Sequence, residues 1–269
     1  MESTISYPYL PPEILDHIVD FLHNNSEALH RCSLVSKSWV SRAQKHIFAD
    51  IRLRSHRDFD LWQKTFPDPA DSPAHHTRTL TVECNPVEVG GGSWAQGFSR
   101  VERLVVDRTW VAVDIGCIFP VPFDNLALSL KSLLVDSFLL PSSQIFDLIR
   151  SLLVLEDLTL MCHNVLCADE SNRPPAVTSA SPKLTGTLGL FVSEGMAQGL
   201  RPLLDLPGGL HFRRLELMWC GKPDLPFVTE LVTACSDTLE HLDIGCDIYG
   251  TLGSVASLHL SIALTSICR

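Results

Sequence analysis

No uncharged run of about 18 apolar residues occurs in this sequence, which leaves nothing that reads as a membrane-spanning helix. The opening residues, MESTISYPYLPP, lack the basic segment and apolar run of a secretory signal. No C-x-x-C pair occurs among the nine cysteines, so neither a zinc ribbon nor a redox pair is indicated. Such scattered thiols read as reduced and buried, the default for a cytoplasmic or nuclear chain. Clustered lysine and arginine are also missing. With a formal charge of −10, that argues against nucleic acid as the main ligand, because phosphate backbones are held by basic patches.

Catalytic motifs are equally scarce. GLFVSEG sets Ser193 in G-x-x-x-S-x-G spacing, not in the G-x-S-x-G turn that exposes a nucleophilic serine. CGKPD has a Gly-Lys pair at Gly221 and Lys222, but Pro223 stands where a phosphate-binding loop needs serine or threonine. EVGGGSW lacks the strand and helix that a dinucleotide-binding glycine loop sits between. Cys162, His163 and Cys167 lie close together in MCHNVLC, yet metal-ligand spacing and a fourth ligand are absent. His75 and His76 read as a polar linker pair. The chain is therefore read as not an enzyme, with no cofactor and no metal.

What is present is a large core's worth of apolar residues, 45% of 269. Residues 11 to 48 suggest three short helices. Pro12 suits the first turn of a helix, where its missing N–H costs nothing. Glu13 follows at the positive end of the dipole. HNNSE marks a break before a second helix carrying Ala28 and Leu29. Ser36 is placed to cap a third, with Trp39, Ala43 and Ile47 on one face. At about 100° per residue, Ile14, Leu15, Ile18, Val19, Phe21 and Leu22 spread over about 160° of the first helix. A core-facing stripe needs only about 100°. The surplus requires a second body, either a partner subunit or the remainder of this chain.

Beyond residue 50 the pattern changes to short strand-like pieces, each with an apolar anchor: Ile51, Leu80, Leu104, Leu133, Leu158, Leu188, Leu215 and Leu242. Successive anchors are 24 to 30 residues apart, close to the roughly 20–29 residues of a leucine-rich repeat. FRRLELMWC fits that repeat's L-x-x-L-x-L-x-x-N/C pattern with Phe212 in first place. Residues 57–66, 142–152 and 226–238 look helical, and 168–182 reads as a polar, Pro/Ser-rich excursion. The last segment, TLGSVASLHLSIALTSICR, has no polar cap. A solenoid ending there must stop in mid-array or pair its end with something.

The stretch LPPEILDHIVDFL…ALHRCSLVSKSWVSRAQKHIF resembles an F-box. The matching positions are Leu10, Pro11, Glu13, Ile14, Leu15, Ile18, Leu22, Leu29, Cys32, Val35, Ser36, Lys37 and Trp39. The resemblance implies binding to the Skp-type adaptor of SCF ubiquitin ligases, and through it to a cullin–RING ligase. By that analogy Leu10, Pro11, Glu13, Ile14, Leu15, Ile18, Leu22, Leu29, Val35 and Trp39 are the expected adaptor contacts, with some shared with the internal core. Leucine-rich repeats behind an F-box act as receptors for a protein target in that family. The expected architecture is a mixed α and β chain. An all-α, three-helix F-box spans residues 1–50, and an irregular leucine-rich-repeat-like solenoid of parallel strands, helices and loops spans 51–269. The competing reading is a repeat scaffold with an F-box but no ligase role. Trp110, Trp219 and Tyr249 are as compatible with core as with a target surface, and no target residue is assigned.

Overall fold

The computed structural model describes residues 11–83, 97–109, 124–166, 182, 184–193, 197–218, 221–249 and 255–263. Three helices come first: α1 Pro12–Phe21, α2 Ser26–Val35 and α3 Lys37–Ile47. Their ends follow from local chemistry. Pro12 occupies the first position of α1, and the Pro11 carbonyl accepts the N–H groups of Ile14 and Leu15 at 3.0 and 3.2 Å. The Asn25 side chain caps α2 by accepting the Ala28 N–H at 3.0 Å. Ser36 is extended, stops α2 and caps α3 through the Ser38 N–H. Val19, Leu29, Cys32 and Ala43 form a small buried cluster, with Leu22, Trp39 and Ile47 packed against it.

Two residues after α3 the chain enters a nine-stranded sheet whose strand order is the order of the sequence. The strands are β1 Asp50–Leu53, β2 Thr79–Val82, β3 Arg103–Thr109, β4 Ser132–Pro141, β5 Asp157–Leu166, β6 Thr187–Val192, β7 Arg214–Met218, β8 His241–Tyr249 and β9 Val255–Ala263. β1 to β8 are parallel, and β9 closes on β8 antiparallel. Between them run α4 His56–Thr65, α5 Asp124–Ala127, α6 Ser142–Ser151 and α7 Leu225–Ala234, with 3-10 turns at Pro73–His76, Ala197–Leu203 and Lys222–Asp224. This is a solenoid-like α/β array behind a three-helix head.

The eight anchors read from the sequence are one register row: Ile51, Leu80, Leu104, Leu133, Leu158, Leu188, Leu215 and Leu242 are consecutive pairing partners. A parallel strand's side chains alternate, so the residue two further on joins the same face. Leu53, Val82, Val106, Val135, Leu160, Leu190 and Leu217 are accordingly buried with the first seven anchors, against Phe59 of α4, Ile145, Phe146 and Ile149 of α6, and Phe227 and Leu231 of α7. The opposite face carries Thr81, Val105, Leu134, Thr159 and Glu216, all half-buried.

A backbone device repeats with the anchors. The carbonyl two residues before one anchor accepts two consecutive N–H groups from the next strand's entry. Ala49 takes those of Arg78 and Thr79 at 2.8 and 3.0 Å, and Arg78 takes those of Glu102 and Arg103 at 2.8 and 2.9 Å. Glu102, Lys131, Gly186 and Arg213 repeat the pattern. At the step into β6 it changes. The Glu156 carbonyl takes the Gly186 N–H, but the Thr187 N–H goes to Asp157 Oδ1 at 2.6 Å. A Cβ on Gly186 would lie 2.2 Å from that carboxylate oxygen, so a larger residue there displaces the Asp157 side chain.

Two sequence expectations gain definition. His75 and His76 are not a linker pair: they end a 3-10 turn with their rings 3.9 Å apart. The final segment does pair its end, through a β9 strand not recognised in the sequence. The glycine loop at 90–92, nearly all of 168–182, and Trp110, Trp219 and Cys167 lie outside the described residues, as do the side chains of His163 and Tyr249.

Candidate functional site: the exposed face of the helical head

The broad apolar arc of α1 resolves into two parallel stripes, each with the i, i+4, i+7 spacing that aligns side chains along a helix. Leu15, Val19 and Leu22 form the inner stripe: Val19 is fully buried, and the other two are half-buried. Ile14, Ile18 and Phe21 form the outer one, exposed at 46, 41 and 86%. At the end of α2, Leu34 and Val35 are exposed as well, at 86 and 71%. Single exposed apolar residues are ordinary, whereas five on two helices of a 40-residue head make a surface that water solvates poorly.

The outer stripe is not used to seat the head on its own sheet. That junction belongs to α3, which packs on the 3-10 turn Pro73–His76, and to Phe48 just beyond it. The Phe48 ring meets Trp62 and Phe66 edge-on at 6.2 Å, and Trp62 stacks on Phe98 at 5.5 Å.

A polar staple holds α1 on α3 behind the stripe. Asp20 accepts hydrogen bonds from Arg42 Nε at 2.6 Å, from Arg42 Nη2, and from His46 Nε2 at 2.7 Å. The Arg42 hydrogen bond, followed by that of His46, holds the Asp20 carboxyl well below the usual carboxylate range. In the sequence Asp20 reads as one more solvated charge, since its partners lie 22 and 26 residues away.

Of the expected adaptor contacts, Pro11, Glu13, Ile14, Ile18 and Val35 are exposed, and Leu15 is half-buried on the inner stripe. Leu22 and Trp39 are half-buried and pack on the core cluster. Leu29 requires correction: it is 1% exposed and fills the centre of the head, so it has no surface to offer a partner. Phe21 and Leu34, absent from the expected set, are the most exposed of the apolar residues here. Phe21 was legible in the arc, but burial was needed to sort it from Val19. Leu10 lies outside the described residues.

Catalytic chemistry finds little support at the buried thiols. Cys162 is pushed up to about 12, first by burial and then by the Asp136 charge, and burial also raises Cys235. Both are therefore neutral thiols near pH 7. Among the described residues no three His, Cys, Asp or Glu side chains gather as a metal site, and no helix is long and apolar enough to cross a membrane.

No curated protein and no solved structure matches this chain. A family model does: residues 7–54 match the F-box-like domain, from just before α1 through all three helices and β1. Residues 7–54 of the chain thus carry an F-box-like domain.

Proposed function

We propose that the chain is a substrate-receptor subunit of an SCF-type ubiquitin ligase, with residues 1–50 docking a Skp-type adaptor and the leucine-rich-repeat-like sheet of 51–269 holding a protein target. The observation that carries this reading is the uncovered Ile14–Ile18–Phe21 stripe on an F-box-like domain. Pro11, Glu13, Val35 and Leu34 extend the docking surface, and Leu15, Leu22 and Trp39 support it from beneath. The receptor needs no nucleophile of its own. Adaptor and cullin bring a charged ubiquitin-conjugating enzyme to the bound target, and proximity supplies the rate gain. The half-buried outer face of the sheet is the surface on which a target would lie.

Binding of the full chain to purified adaptor tests the docking half. Burying an Ile or Phe side chain is worth about 1.5–3 kcal/mol. Ile18→Asp combined with Phe21→Asp is therefore expected to weaken adaptor binding by at least about thirtyfold. Unchanged affinity in that double variant would refute the assignment of the stripe. Ubiquitylation of a co-purified protein by the reconstituted complex tests the receptor half. Adaptor binding with a persistently blank ubiquitylation assay would instead leave a scaffold.

A further inference from the structure

An acidic protein is expected to carry its cations dispersed among carboxylates, and most of the sheet does so. On the strand-entry side, the residues two before each anchor alternate in sign: Arg78, Glu102, Lys131, Glu156, then Gly186, Arg213 and Glu240. Glu102 lies 3.5 Å from Arg78 and 3.6 Å from Lys131, and Arg213 lies 3.9 Å from Glu240. One place breaks this balance. A cleft of about 300 Å³ opens where α3 meets the entries of β2, β3 and β4. Lys45 of α3 and Arg100, ahead of β3, join Arg78 and Lys131 in its walls, facing Glu102 as the single lining carboxylate. Among the described residues neither Lys45 nor Arg100 has a carboxylate within 4.0 Å, so four fixed cations stand against one anion.

We propose that this cleft is a binding site for a phosphoryl group, at the junction between the helical head and the sheet. Several features fit that chemistry. The contacts of Glu102 to Arg78 and Lys131 exceed hydrogen-bond length, so both cations keep donors for a stronger acceptor. Ser129 lines the cleft, and its hydroxyl is out of solvent with no hydrogen-bond partner. An oxygen of a bound phosphate would give the Ser129 hydroxyl the acceptor it lacks. His75 Nδ1 donates to the Ser72 carbonyl at 2.7 Å, which directs its other nitrogen away from that bond. His76 is pushed below its ordinary value by burial, with His75, Lys45 and Arg100 adding repulsion, as a positive local field requires. Leu128, 74% exposed, forms an apolar lip suited to the organic part of a phosphate ester.

The inference does not rest on adaptor or target binding, and its failure would leave those readings untouched. Titration calorimetry of the full chain with inorganic phosphate, and with a phosphoserine peptide and its unphosphorylated twin, tests it. Saturable binding of the phosphorylated probes is expected, with at least a tenfold loss in Lys45→Ala combined with Arg100→Ala. Both side chains are exposed, so the variant should retain the native circular dichroism spectrum. If it does not, Arg100→Gln alone serves, with a loss of at least threefold. Arg213→Ala, at the same ladder position as Arg78 but away from the cleft, is expected to change nothing. A phosphopeptide at least tenfold tighter than inorganic phosphate identifies a phosphorylated protein segment as the source, and equal affinities identify a small phosphorylated molecule. Absence of saturable binding of any phosphorylated probe, the same affinity in the folded cleft variant, equal binding of the unphosphorylated twin, or an equal loss in Arg213→Ala overturns the proposal.

Discussion

Asp20 and Gly186 show how much a single side chain contributes once its neighbours are known. Asp20→Asn removes a carboxylate that takes three hydrogen bonds from α3. The site is about one-third exposed, so the loss is expected to be about 1–2 kcal/mol rather than the full value of a buried ion pair. The sign with pH follows from the lowered folded pKa. The carboxylate's contribution is complete above its unfolded value of about 3.9 and is lost as pH falls through the lower folded value. The stability gap between the two proteins should therefore persist at pH 5 and shrink as pH falls below about 4, read by urea unfolding. Gly186→Ala drives a Cβ into the Asp157 carboxylate, which must swing away and leave the Thr187 N–H without its acceptor. That substitution should cost about 1–3 kcal/mol in chemical denaturation. Gly186→Ala in an Asp157→Asn background should cost nearly as much, because an amide oxygen would occupy the same space.

At the level of elements, register and closure govern stability. Alternating charges at the strand entries oppose a one-strand mismatch, which would place like charges beside each other. β9 matters for a different reason. It runs antiparallel to β8 from Val255↔Tyr249 to Ala263↔His241 and covers an edge that would otherwise present unpaired backbone groups. Leu260 pairs with Ile244 in that ladder. Leu260→Pro removes a donor and strains the pairing, and it is expected to speed hydrogen exchange at β8 amides and to increase aggregation on concentration. A variant with unchanged β8 exchange would show that the ladder contributes nothing to edge protection.

Across the whole molecule the apolar interior is divided very unequally. Among the described residues, four buried residues centre the helical head, while the sheet and its helices share one continuous core of 38. A three-helix unit of about 40 residues is too small to be strongly stable by itself. The head is joined to the sheet over two residues and through the Phe48–Trp62–Phe66 contacts. Its α1, which packs chiefly on α3, should open locally before the sheet does. Hydrogen exchange is expected to be faster in α1 than in β4 to β7, and adaptor should slow α1 selectively. Protection spread evenly over head and sheet would instead indicate one cooperative unit.

Local periodicity in the sequence by itself determined three short helices with their caps, eight strands marked by their anchors, and the F-box pattern that the family match then confirmed, whereas β9 was not read from it. The anchor row was legible because a parallel ladder of similar repeats returns the same residue type to the same depth. Tertiary structure decided matters of placement between distant segments. The period of α1 could not say which apolar stripe faced inward, since both stripes satisfy it, and burial against Leu29 and Ala43 settled that. His75 and His76 read as a linker pair, and Asp20, Lys45 and Arg100 belong to no motif. Their roles arise from partners brought together by packing, and no periodicity records a contact between separate elements.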